Sequence, residues 1–262
     1  MRVRILVSVL IILAAGYAAF GQETAGGENY LGKAALEMED WDSAISHFTK
    51  AIALRPNYYE AFAGRADARA MKKDYDGAIA DLSKAIEFAP AVPVLFNNRG
   101  YLRSLKDDAD GAIADFSRAI ALKPDFADAY TNRARERHYK KDYDGEIADY
   151  SKAVELDPKD YISFVNRGFA RSLKGDRVGA MSDLAKAASL EPDSPDAFYV
   201  RGTILLEGKD FEGAIVDLSK AIALKIDDPD VYSKRAEAYR ALKKADLAAA
   251  DEKKAAELKT RP

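Results

Sequence analysis

The chain has 262 residues, 48% apolar and 32% charged, with a formal net charge of −3. That apolar content suffices for a substantial core, and a mildly acidic chain with no basic block argues against a nucleic-acid partner. Cysteine is absent altogether, which excludes disulfides and a lipid on an N-terminal cysteine.

Residues 1–21 come first and read differently from the rest. Arg2 and Arg4 supply positive charge, Ile5 to Ala15 is an apolar run broken only by Ser8, and Ala19 and Gly21 suit cleavage before Gln22. This is the layout of a secretory signal peptide. The apolar stretch to Phe20 is short for a spanning helix. If it were not cleaved it would act as an anchor, and only this segment would then meet a membrane. Cleavage removes two positive charges and moves the formal charge from −3 to −5. The expected location is exported, periplasmic or extracellular.

From residue 25 onward one period governs the chain. Pro56, Pro90, Pro124, Pro158 and Pro192 stand 34 residues apart. Ala44, Ala78, Ala112, Ala180, Ala214 and Ala248 form a second column, with Glu146 its one departure. Ala51, Ala85, Ala119, Ala153, Ala187, Ala221 and Ala255 form a third, unbroken. A large residue sits between the alanines at Phe48, Leu82, Phe116, Tyr150, Leu184 and Leu218. Earlier in each unit an aromatic recurs, as at Phe62 and Phe96, followed four residues later by Ala or Gly.

Residues 59–92 show what one unit does. Phe62, Ala66 and Arg69 share a face at helical spacing, and Tyr75, Ala78, Ile79, Leu82 and Ile86 do the same for a second helix. Lys72, Lys73 and Asp74 make the turn. Pro90 stops the second helix, because its ring disfavours helical geometry at the residue before it. The small residues let the two helices approach, and the large ones fill the gap. One such pair cannot offset its ordering entropy, whereas a stack can.

These columns together resemble the tetratricopeptide repeat, a 34-residue helix–turn–helix unit. The resemblance covers residues 25–262 in seven units: 25–58, 59–92, 93–126, 127–160, 161–194, 195–228 and 229–262. It implies an all-α fold, a right-handed α-solenoid. The family's leucine before the small residue is arginine here, and its tyrosine three residues after it is arginine in four units. The proline column is lost at Ile226 and Thr260. The first unit has Glu28 in place of the aromatic, after Gly26 and Gly27, so the first helix is expected to be the least stable. In the seventh, Glu252 replaces the large residue and Ala249 and Ala256 replace isoleucines, as the outer face of an array end requires.

Arg65, Arg99, Arg133, Arg167, Arg201 and Arg235 recur once per unit, each matched sixteen residues later by Asp81, Asp115, Asp149, Asp183, Asp217 or Asp251. Antiparallel helices would bring the two columns to similar height, which predicts repeated bidentate Arg–Asp pairs at partly buried sites. The other reading is a basic stripe for an anionic ligand, extended by Arg69, Arg103, Arg137 and Arg171.

No catalytic constellation is visible. His47 and His138 lie in different units, far from any cluster that would serve zinc or a nucleophilic triad. Gly202 to Lys209 has the outline of a phosphate loop, but its spacing is wrong and Asp210 stands where a hydroxyl is needed. The chain reads as a non-enzyme with no cofactor.

In arrays of the kind this chain resembles, the first helices of successive units line a concave groove. Candidate groove residues are Asn98, Tyr101 and Leu105, with Val94, in the third unit; and Asn132, Arg135, His138 and Tyr139, with Thr131, in the fourth. Asn166 and Phe169, with Ile162, Val165 and Leu173, follow in the fifth, and Tyr199, with Thr203, in the sixth. These positions vary where the packing columns repeat. The asparagine amides suit the backbone of an extended peptide and the aromatics its side chains. The family's carboxylate clamp is not reproduced, since its lysine positions are Val94 and Asp128. The expected function is a scaffold binding a protein or peptide in this groove; the alternative is a structural component of a cell-envelope complex.

Overall fold

A computed structural model describes residues 24–225 and 228–260. The expected signal peptide at residues 1–21 and the Ile226 position lie outside the described residues. Among the described residues there are fourteen helices and no strand. Two compact units divide the chain, Met1–Asp108 and Ala109–Pro262.

The first unit holds α1 (Ala25–Glu37), α2 (Trp41–Leu54), α3 (Tyr59–Met71), α4 (Tyr75–Phe88) and α5 (Pro93–Ser104). Helix α1 packs on α2, α3 packs on both α2 and α4, and α4 packs on α5. The second unit holds α6 (Ala109–Leu122), α7 (Ala127–Tyr139), α8 (Tyr143–Leu156), α9 (Tyr161–Leu173) and α10 (Arg177–Leu190). It continues with α11 (Asp196–Glu207), α12 (Phe211–Ala223), α13 (Pro229–Ala241) and α14 (Ala245–Lys259). Here too each helix packs on the next in sequence.

The turn inside each pair is one motif repeated. In α3–α4 the amide of Lys73 donates to the Ala70 carbonyl at 2.9 Å, and that of Asp74 to the Arg69 carbonyl at 2.9 Å. These two bonds close a helix C-terminus when the residue between cap and exit is left-handed. Lys73 accordingly has φ 63°, and Glu39, Asp107, Lys141, Lys209 and Lys243 repeat it at φ 58–63°. Only Gly175, at φ 80°, fills the position with the residue that adopts it without strain. Asp74 then caps the next helix, its carboxylate accepting from the Gly77 amide at 3.0 Å. Asp40, Asp142, Asp176 and Asp210 do the same. Three residues on stands glycine at Gly77, where a Cβ would lie 2.2 Å from the Asp74 carboxylate, whereas after Asp40 the place is taken by Ser43, whose hydroxyl also donates to the capping carboxylate.

The cores lie between paired helices. Phe48 is fully buried, with Gly32 and Gly64 against its ring. In the second unit Leu184 lies over Gly168 and Leu218 over Gly202. The alternation of large and small columns therefore sets the helix spacing. At the array's end Ala249, Glu252 and Ala256 are exposed, and Glu252 pairs with Arg240 at 2.9 Å.

Candidate protein-interaction site

The arginine column is consumed inside the fold. Arg65 Nε and Nη2 donate to the two Asp81 oxygens at 2.8 and 2.7 Å. Arg133–Asp149, Arg167–Asp183, Arg201–Asp217 and Arg235–Asp251 repeat this fork. Each of these aspartates is buried. The second arginine column does not make a free basic stripe: Arg69, Arg137 and Arg171 each donate to the same aspartates at 2.7–2.8 Å. Four guanidinium groups of the column also reach back to the preceding second helix, Arg65 to Thr49, Arg99 to Ser83, Arg133 to Ser117 and Arg235 to Ser219. The column thus ties three helices together.

The candidate groove residues separate into kinds. Tyr101 and Leu105 on α5 and its cap are about half exposed, and Asn98 is half-buried. In the second unit Tyr139 is 71% exposed and Phe169 37%. Asn132 and Asn166 are half-buried, and Arg135 is exposed with Nη2 donating to Asn132 Oδ1 at 3.1 Å. Tyr199 is half-buried and donates its hydroxyl to Asp230 at 2.6 Å. Burial, with that bond adding to it, pushes the Tyr199 hydroxyl up from its usual range. Val165 does not belong to the exposed face: it is buried in the core with Phe164 and Leu184. One residue's rotation from Asn166 turns it inward.

His138 is not a bare groove residue either. Its Nδ1 lies 3.0 and 3.2 Å from the two Glu146 oxygens. Glu146 is 2% exposed and stands where the other units have a packing alanine. Burial pushes its carboxyl up, and the His138 contact works against that. The imidazole is ringed by Phe169, Tyr143 and Tyr139 at centroid distances of 5.8, 5.9 and 6.1 Å. Tyr150, also buried, takes the large-residue position; burial and then Glu146 push its hydroxyl up. Helices α7 and α8 thus concentrate polar groups in packing columns that are apolar elsewhere. The pairing was missed from sequence, although Glu146 as the lone break in the alanine column was its signal. The other histidine has a similar partner: His47 Nδ1 lies 2.7 Å from buried Glu28.

Also unforeseen is an exposed Lys–Asp series between successive pairs, Lys72–Asp42, Lys106–Asp76, Lys140–Asp110 and Lys174–Asp144. Solvent screening makes each worth little. Among the described residues no group of three or more His, Cys, Asp or Glu is placed to hold a metal ion, and no helix is long and apolar enough to cross a membrane.

Repeated helix pairs with a varied exposed face define a tetratricopeptide solenoid, and sequence-family models agree. Tetratricopeptide repeat models match residues 31–93, 127–160 and 202–243. The chain belongs to the tetratricopeptide repeat family, whose members are protein-interaction scaffolds. Among solved structures it is similar to the C-terminal part of a repeat-containing protein from Cytophaga hutchinsonii, 19% identical with TM-score 0.73, over 89% of this chain and 96% of that one. It is also similar to YrrB, a TPR protein with an unusual peptide-binding site, 22% identical with TM-score 0.63, over 75% and 97%. A third is MamA, 25% identical with TM-score 0.60, over 62% and 95%. No curated protein matches the sequence.

Proposed function

We propose that the chain is an exported, non-catalytic scaffold that binds a peptide or protein segment along the face that the first helices form within a unit. The observation that carries this is the contrast between columns. Packing positions repeat from unit to unit, while Tyr101, Leu105, Arg135, Tyr139 and Phe169 differ in kind and remain accessible. Packing rewards sameness, and a partner rewards difference. Large rigid aromatics at such positions supply apolar contact area at small entropic cost. YrrB, with its peptide-binding site, supports the same reading for this chain.

Binding is tested with Phe169→Ala and Tyr139→Ala against a partner captured by the native protein. Each variant is expected to weaken binding at least tenfold, and full affinity in both would place the interaction elsewhere. Export is tested by mass spectrometry of the envelope fraction, where a mature chain beginning at Gln22 is expected. A chain found only in the cytoplasm would remove that part of the proposal.

A further inference from the structure

In the first compact unit the fold engages its own arginines. Among the described residues Arg65 and Arg69 sit on Asp81, Arg103 on Asp108 and Arg99 on Ser83, and Arg55 lies over the Tyr58 ring. Many of its acids are engaged too. Asp42, Asp76 and Glu87 pair with Lys72, Lys106 and Lys84. Asp40 and Asp74 cap helices, and Glu28 meets His47. Asp67, on the first helix α3, differs: it is exposed, with neither a hydrogen bond nor an ion pair among the described residues.

The repeat fixes its surroundings. In the second unit His138 on α7 and Phe169 on α9 meet with ring centroids 5.8 Å apart. Three repeats earlier the same two places are Leu36 on α1 and Asp67 on α3, and α1 packs on α3. Two repeats earlier they are Ala70 on α3 and Tyr101 on α5. Met71 lies one turn beyond Asp67, and Leu105 one turn beyond Tyr101. Met71, Tyr101 and Leu105 are exposed, so the carboxylate belongs to an apolar stretch of the face. Burial alone pushes its carboxyl up, to about 6. No cation counters that rise, so Lys33, one turn before Leu36 on α1, does not reach it. A carboxyl that water touches and protein still surrounds lies in a recess. Its ionised form is short of solvation, and a cation brought by a partner replaces what burial removed.

We propose that Asp67 anchors a lysine or arginine of the partner segment, set between α1 and α3, while an apolar side chain beside it lies on Met71, Tyr101 and Leu105. The inference rests on the reading that the first-helix face binds peptides. Charge complementarity selects the occupant: an acidic segment is repelled here, and an apolar one leaves the carboxylate as it was. Lysine and arginine fit both features, because their methylene stems lie along apolar surface while the charged head reaches the carboxylate. The chain's net charge of −3 attracts the same kind of partner at longer range.

The test selects phage-displayed peptides on the full chain and on its Asp67→Lys variant at about pH 7.5, above the raised Asp67 value. The wild-type pool is expected to be rich in Lys or Arg next to an apolar residue, and the Asp67→Lys pool in Asp or Glu at that place. Affinities are then measured by fluorescence anisotropy. Asp67→Asn should weaken a selected basic peptide by about tenfold or more, the worth of a hydrogen bond to a charged group. Exchanging that peptide's Lys or Arg for Glu should restore binding to Asp67→Lys, which damage to the fold could not do. Glu87→Lys makes the same charge change on the exposed side of second helix α4 and should alter affinity by less than about twofold. A wild-type pool with no basic residue in common, an affinity that Asp67→Asn leaves unchanged, or an equal loss in Glu87→Lys would overturn the anchor while leaving peptide binding intact. Selection of no peptide on the wild-type chain would overturn the peptide-binding reading itself.

Discussion

Asp149→Asn probes the interaction that most distinguishes this array. The wild-type carboxylate is 3% exposed and accepts three charge-assisted hydrogen bonds. Two come from Arg133 at 2.9 and 2.7 Å and one from Arg137 at 2.8 Å. Asparagine offers one acceptor oxygen, and its NH₂ must point at guanidinium donors. Two cations, with side chains only 14% and 23% exposed, then lose their counter-charge. Breaking a buried pair by removing one partner costs roughly 3–5 kcal/mol. The three-way sharing and the tie from Arg133 to Ser117 place this case within that range. Urea unfolding followed by circular dichroism is the assay, read as a midpoint shift because repeat arrays can unfold in stages. Arg133→Met and Arg137→Met together with Asp149→Leu is the control, since an apolar replacement of a whole buried ion pair or triad is often neutral. A loss below about 0.5 kcal/mol for Asp149→Asn, the usual size of a surface substitution, would refute the claim that the ladder holds α7 to α8.

Other outcomes follow from single features. Glu146 has its carboxyl pushed up by burial, so the native state binds that proton more tightly than the unfolded chain and its contribution to stability fades as pH rises through the raised value. Glu146→Gln should therefore stabilise relative to wild type more at about pH 8 than near the ordinary glutamate value of about 4.3; thermal melts with no pH-dependent difference would contradict this. Lys141, left-handed at φ 58°, should gain up to about 1 kcal/mol when replaced by glycine, while Gly175→Ala should lose a similar amount. Equal midpoints for the two would show that the turn stores no strain. Gly64→Ala places a Cβ 2.4 Å from the Phe48 ring and should cost about 1–3 kcal/mol by overpacking, read from the same unfolding curves.

The repeat period, the paired helices and the packing columns were legible in the sequence, because each is set by local periodicity and by residues that act on their own backbone. Pro90 after α4, the polar Lys72–Lys73–Asp74 turn and the Ala78–Leu82–Ala85 stripe are read without knowing any neighbour. The Arg–Asp ladder was also legible, since a fixed sixteen-residue offset brings the same fork together in five units. What only the tertiary structure decided are contacts that depend on rotation about a helix axis and on side-chain reach. Val165 turns into the core while its neighbour Asn166 does not. Arg137 and Arg171 bend onto an aspartate already held by another arginine. His138 and Glu146, eight residues apart on facing helices, meet at hydrogen-bond distance. Periodicity places a residue on a face, but whether a charge stays in water or finds a buried partner is settled by the elements packed against it.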